Sequence, residues 1–369
     1  MRNSHSPTFA VVGTGNSGQT FAADIALKGF SVNLAEVEAF AANLHAIESR
    51  GGIELTGDAG EGFARLNMMT TDLAEAIRGV DVVIVGGSAH AHEPISKALA
   101  ENFEDGQFVL FTANFGALRF RKWMDEAGVS ARVTPVETMS LLYATRAVEP
   151  GKVQCIGLKT VLPAAAFPAT RTAEFLELVE GVFPQFVAAQ NVLSTSFNSL
   201  NPVLHPPLVL FSASRIELTG GEGWNLQGEG ATEAVCRVML EVDAERLEVL
   251  RRVSEDGMPF QEAFERLYAD YELERETLSE TLRFSPIHSG PELPAPTSLD
   301  SRYLTEDVPF GLVPWSELGR MWGVPTPTMD AVIRIASAMV GVEFADIGLR
   351  PDDLGIRGMT PEQVRTLVA

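Results

Sequence analysis

Phe9-Ala10-Val11-Val12-Gly13-Thr14-Gly15-Asn16-Ser17-Gly18 runs an apolar strand directly into three spaced glycines close to the amino terminus. In a turn of this kind the first glycine permits the tight bend, the second lets backbone approach a pyrophosphate, and the third lets the next helix pack closely on the strand. Gly13, Gly15 and Gly18, with Asn16 and Ser17 between them, are therefore the candidate cofactor-binding residues. Thr20 to Leu27 reads as the helix, with Phe21, Ile25 and Ala26 inward and Gly29 closing it, so that its amino terminus faces phosphates. A second strand, Phe30 to Leu34, leads to Glu36, 18 residues beyond Gly18, near the spacing of an acid that holds ribose hydroxyls. Glu36 favours NAD(H) over NADP(H), because Val37 beside it cannot pair with a 2'-phosphate and only the more distant Arg50 could approach one. Strand, turn, helix and acid together predict a Rossmann fold.

The rest of the chain extends this pattern and then changes it. Strands are expected at Asp81 to Val85, Gln107 to Phe111, Arg132 to Val136, Val153 to Leu162 and Phe186 to Ala189, alternating in part with helices at 91–102, 116–127 and 170–182. Beyond Asn191, apolar residues recur at helical spacing in 207–217, 231–253, 259–282, 313–322 and 326–340, with no alternating strand among them. The expected fold class is thus an α/β Rossmann domain, residues 1–190, followed by an all-α helical domain, residues 191–369. Within the second, the Pro- and Gly-rich stretch Ser285 to Ser298 reads as an ordered loop. The stripe Met321, Trp322, Met329, Ile333, Ile335 and Met339 reads as core.

Composition narrows the partners. With 28 basic against 49 acidic residues the net charge is -21, so DNA, RNA or an anionic membrane would be repelled. Two cysteines, Cys155 and Cys236, have no metal-like spacing to each other or to the six histidines, so neither a disulfide framework nor a metal site is expected. The residues before Phe9 are polar and no apolar run is long enough to span a bilayer, which leads us to expect a cytoplasmic protein. The apolar surface of the helical domain would suffice for a homodimer.

Among the histidines, His205 has the most informative context, Asn201-Pro202-Val203-Leu204-His205-Pro206-Pro207, where prolines stiffen the backbone around it. Histidine titrates near neutrality and can give and take the proton that hydride transfer to a carbonyl or imine requires, making His205 the candidate acid/base. The alternative is a histidine that caps a helix beginning at Pro207. In Ser301-Arg302-Tyr303-Leu304-Thr305-Glu306-Asp307-Val308-Pro309-Phe310-Gly311, Arg302 suits a substrate carboxylate and Asp307 could orient His205 if the two segments meet. Equally, Arg302 could form a local salt bridge with Glu306 or Asp307. His90 and His92 follow the strand Asp81 to Val85 and read as cap or packing residues, while His5, His45 and His288 have no distinguishing context.

These segments carry a resemblance over nearly the whole chain to the opine dehydrogenases of the octopine/nopaline dehydrogenase family. Gly13–Gly18, Ala91-His92-Glu93, Asn201–Pro206 and Arg302–Gly311 resemble family motifs. The resemblance implies reaction in a cleft between the two domains, where an amino-acid α-amine and an α-keto acid such as pyruvate condense to an imine that NADH or NADPH reduces. It implies His205 as acid/base, Asp307 as its partner, Arg302 as a carboxylate clamp, Thr138 as a substrate contact and Asn114 as a polar residue near the carbonyl. Three positions depart from the family: Ser88 replaces a proline, Thr112-Ala113-Asn114-Phe115-Gly116 replaces a Pro-Gly-Asn-Phe-Gly loop, and Thr145 replaces a cysteine. Two rivals stay open at this point. One is a keto-acid or hydroxy-acid reductase of the ketopantoate or glycerol-3-phosphate dehydrogenase type, although a lysine acid cannot come from a helical domain that contains no lysine. The other is a dinucleotide sensor without turnover.

Overall fold

The computed structural model describes residues 6–290 and 292–369, so His5 lies outside the described residues. The chain divides into two compact units, one reaching to Val192 and joined by Ala369, the other spanning Leu193–Val368.

The first unit contains strands β1 (Phe9–Val12), β2 (Val32–Ala35), β3 (Ile53–Gly57), β4 (Gly62–Ala64), β5 (Met68–Thr70), β6 (Val82–Val85), β7 (Phe108–Thr112), β8 (Thr134–Thr138), β9 (Tyr143–Glu149), β10 (Lys152–Leu158), β11 (Leu162–Ala166) and β12 (Phe186–Ala188). Eight of them form one sheet in the order β12-β11-β8-β7-β6-β1-β2-β5. It is parallel from β5 through β8, and β11 meets β8 antiparallel. Strand β1 is buried at every residue because side chains alternate between two covered faces. Ala10 and Val12 join Ile95, Leu99, Phe120 and Trp123 on one face, while Phe9 meets Phe30 and Phe183 edge-on at the other. The chain builds outward from β1 through β2 and β5 and then restarts on the opposite side with β6. That reversal leaves a crevice at the carboxyl ends of β1 and β6, where open α/β sheets bind ligands.

Three features depart from the sequence expectation. A second, four-stranded sheet, β4-β3-β10-β9, was not anticipated. The strand expected over Val153 to Leu162 is two strands in different sheets, β10 and β11, because the chain turns at Lys159. There the Lys159 backbone N–H donates to the Leu142 carbonyl and Nζ to the Leu141 carbonyl at 2.6 Å. The first helix begins at Asn16 rather than Thr20, since Asn16 and Ser17 are polar and leave no apolar trace of that first turn, and Ala26 is only half-buried.

In the second unit every regular element among the described residues is a helix, and the described residues of Ser285 to Ser298 are loop. The long helix Glu233–Leu250, the helices Val313–Trp322 and Pro327–Val340, and the shorter Ala213–Thr219 follow the apolar periodicity. Residues 259–282 do not form one helix: Phe260–Leu267 ends before Glu272, whose φ of 53° is left-handed, and a capping box of Thr277 and Glu280 starts Leu278–Arg283. Of the expected core stripe, Met329 and Ile333 are buried, Met321 and Trp322 half-buried, and Ile335 and Met339 exposed, because the helix turns those last two positions away from the core. The helix carrying His205 spans Asn201–Phe211, earlier than the expected start at Pro207, so His205 lies inside it and does not cap it. Its entry is pinned by fully buried Arg246, which pairs with Asp243 and donates to the Phe197 carbonyl, Asn198 Oδ1 and the Met258 carbonyl.

Candidate active site

At the carboxyl end of β1 the three glycines have different structural reasons. Gly13 has φ of 116°, and a Cβ there would lie 1.8 Å from the Gly86 carbonyl oxygen, in the turn that follows β6. A Cβ on Gly18 would lie 1.9 Å from the Gly13 carbonyl oxygen, so the helix could not approach the turn. Gly15 is the informative one. Its φ of -75° suits any residue, a Cβ would meet nothing within 4 Å, and it is exposed. Nothing in the fold requires glycine at 15. It stands beside the first backbone N–H groups of a 12-residue helix, which have no partner within the helix, so the missing side chain leaves room for an anion to reach them.

Glu36 follows β2 and is nearly buried. Its Oε2 accepts hydrogen bonds from the Thr14 backbone N–H at 2.8 Å and the Thr14 hydroxyl at 2.9 Å, and Oε1 accepts from the Val37 N–H. The carboxylate therefore braces the glycine turn from the position where a ribose acceptor is expected, with lone pairs to spare. Arg50 does not approach Glu36's surroundings as a partner; it pairs with Glu149 and Glu54. Asn16 directs its side-chain oxygen to the Ala147 N–H, and Thr20 shares a hydrogen bond with Thr145, so the helix is anchored to the small sheet. Asn16 thus has its side-chain oxygen committed to the small sheet, while Ser17 is half-exposed.

Asn114 sits in a backbone that sequence reading did not anticipate. Ala113, Asn114 and Phe115 have φ of 65°, 64° and 58°, three consecutive non-glycine residues in the left-handed region between β7 and the helix Gly116–Ala127. Each costs about 1 kcal/mol or more relative to an ordinary conformation. Surrounding bonds impose it: the Ala113 N–H donates to the Thr138 carbonyl, and the Ala117 N–H donates to buried Glu137. Thr112 and Thr138 are register partners, so Asn114 and Thr138 share the same end of β7 and β8. The Thr138 hydroxyl is buried and donates to the Ser140 carbonyl at 2.8 Å.

His92 is wholly buried against Phe111, and burial, helped by Arg119 and His90, pushes its pKa down to about 3. It is a neutral packing residue. No group of three or more His, Cys, Asp or Glu able to hold a metal occurs among the described residues, and none of their helices is long and apolar enough to cross a membrane.

In the second unit His205 and Asp307 meet although 102 residues separate them: Nδ1 lies 2.7 Å from Oδ2, with both side chains nearly buried. A carboxylate can only accept, so Nδ1 carries the hydrogen and Nε2 is left without it. The Tyr303 ring stacks on the imidazole with centroids 4.1 Å apart, fixing its remaining rotational freedom. Arg302, on the one-turn helix Arg302–Thr305, is exposed and forms no ion pair with a described residue. Desolvation alone would lower its pKa, but the Glu306 and Asp307 carboxylates raise it above the ordinary value, so the guanidinium stays charged. Asp307 leads into a π-helical turn, Val308–Leu312, where Pro309 has no N–H to give to the preceding turn. Sequence reading singled out His205, Asp307 and Arg302; it missed the stacking of Tyr303 and the π-turn.

Residues 188–340 match the family model described as NAD/NADP octopine/nopaline dehydrogenase, alpha-helical domain. An opine dehydrogenase of Arthrobacter sp. (strain 1C) is 35% identical over 365 residues, covering 98% of this chain and 99% of that protein. This chain belongs to the octopine/nopaline dehydrogenase family. Other family members share its architecture: a solved octopine dehydrogenase with NADH and L-arginine superposes with a TM-score of 0.76 at 21% identity, over 98% of each chain. The fold extends beyond the octopine/nopaline dehydrogenases, since a ketopantoate reductase from Ralstonia eutropha JMP134 superposes with a TM-score of 0.62 at 16% identity, over 90% of this chain and 98% of that one.

Proposed function

We propose that this protein is a nicotinamide-dependent opine dehydrogenase that joins the α-amine of an amino acid to an α-keto acid and reduces the resulting imine. The observation that carries the reading is the His205–Asp307 pair, held at 2.7 Å with Nε2 left for chemistry. Condensation releases water and forms a C=N bond; reduction adds one hydride to carbon and one proton to nitrogen. A bound nicotinamide would supply the hydride. Gly15, open to any approaching group, with the helix amino terminus and Glu36, fits a dinucleotide. His205 holds and moves protons at Nε2, Asp307 keeps Nδ1 protonated and steadies the imidazolium, and Arg302 offers a bidentate partner for a substrate carboxylate. Asn114 and Thr138, on adjacent strand ends, are proposed substrate contacts.

The test is NADH oxidation across a panel of keto acids and amino acids, each keto acid also run alone. Oxidation that requires both partners, with a secondary amine as product, is expected. Equal oxidation without amine would replace this reading by a simple keto-acid reductase, the alternative that the shared fold leaves open and that the absence of lysine from residues 193–368 disfavours.

NAD(H) is the proposed preference, because Glu36 places a carboxylate where a 2'-phosphate would be repelled and Arg50 is engaged by Glu54 and Glu149. Glu36→Ala is expected to weaken NADH binding about tenfold and NADPH binding less, because loosening of the Thr14 turn affects both cofactors while loss of a charged hydrogen-bond acceptor for the ribose affects NADH alone. Titrating both cofactors by fluorescence checks this, and equal losses would remove the assignment.

A further inference from the structure

Gly311 lies in the π-turn, and a Cβ built on it would stand 2.2 Å from Pro202 Cγ and 2.6 Å from Pro202 Cβ. Its backbone is not in the left-handed region, so only this close approach excludes a side chain. Pro202 stands three residues before His205 on the helix Asn201–Phe211, and Asp307 stands four residues before Gly311. Each spacing is about one turn, so the Gly311–Pro202 contact lies on the same faces as the His205–Asp307 hydrogen bond, one turn away. Any side chain at 311 would have to push these segments apart next to the bond that needs them close.

We propose that Gly311 is a positioning residue whose missing side chain sets the separation at which His205 Nδ1 reaches Asp307. The flanking contacts act differently: Tyr303 also crosses between the two segments, but by ring stacking that controls the tilt of the imidazole, and Arg246 fixes the entry of the helix. The backbone itself, through Gly311 against Pro202, acts as the spacer. Its consequence for turnover rests on the acid/base role proposed for His205; its consequence for the hydrogen bond does not.

The experiment therefore reads both in Gly311→Ala. The first readout is the Nδ1 proton of His205, observed as a downfield resonance in protein with nitrogen-labelled histidine and assigned by its absence in His205→Ala. The second is turnover, expected to fall at least about tenfold, as for a catalytic group displaced by a fraction of an ångström to an ångström. That penalty should shrink when Asp307 is already asparagine, because both changes then act through one bond. Gly319→Ala crowds the same unit against the Val324 carbonyl, and is expected to lower the melting temperature with turnover kept. If Gly311→Ala does not fold, Pro202→Gly/Gly311→Ala removes the obstructing ring, and recovery of both the resonance and turnover is expected. Persistence of the resonance in a folded Gly311→Ala protein, or a double variant that folds without the resonance while Pro202→Gly alone keeps it, would overturn the proposal. Loss of the resonance with turnover unchanged would instead uphold the spacer and overturn the acid/base reading.

Discussion

Alanine in place of His205 is expected to lower turnover at least about a hundredfold, the ordinary loss when a general acid/base is removed, while NADH affinity stays nearly unchanged. The geometry argues for this separation of effects. Nδ1 is committed to Asp307, Tyr303 covers one face of the ring, and Nε2 makes no hydrogen bond to a described residue. Every contact of the imidazole thus serves to present one nitrogen, and none serves the glycine turn, which belongs to the other unit. Leaving Asp307 without its partner costs stability as well, so the variant should be compared with His205→Gln at matched melting temperature. Steady-state kinetics with NADH titration measures both quantities; full turnover in either folded variant would remove His205 from the chemistry.

The second large effect is a contrast between two glycines of one turn. Gly13→Ala should destabilise the protein by about 3 kcal/mol, combining left-handed strain with a direct overlap on the Gly86 carbonyl. For a unit of this size that is a fall of roughly 6–12 °C in melting temperature. Gly15→Ala should leave the melting temperature unchanged, since its φ is ordinary and its would-be Cβ meets nothing, yet weaken NADH by about tenfold or more because the methyl group occupies the approach to the helix amino terminus. Calorimetry and NADH titration on the two variants separate a glycine that the fold needs from one that only a ligand needs. A Gly15→Ala protein that binds NADH normally would show that the anion does not pass there.

Much of this was legible in local sequence. The glycine spacing announced the β1 turn because the steric demand for a missing side chain acts within a few residues, and helical periodicity announced Val313–Trp322 and Pro327–Val340 because burial repeats with the helix itself. His205, Asp307 and Arg302 stood out by chemical type. The strand at Val153 to Leu162 misled because an apolar run does not reveal the turn at Lys159, whose amine donates to the Leu141 carbonyl and whose backbone N–H donates to the Leu142 carbonyl. Ala113 and Phe115, unlike Asn114, are residue types that normally avoid the left-handed region, so the run could not be read as such; the restraint comes from Thr138 and Glu137 on the neighbouring strand.

Residue identity thus settled which groups were available: glycines where backbone must be bare, an imidazole to exchange protons, a guanidinium to meet a carboxylate. Folding assigned their use. Which imidazole nitrogen is left without a partner among the described residues, which glycine packing requires and which it does not, and how near Asp307 comes to His205 all depend on contacts between segments far apart in the chain, or on backbone angles imposed by neighbouring strands. Such relations are absent from local composition because no residue carries them alone.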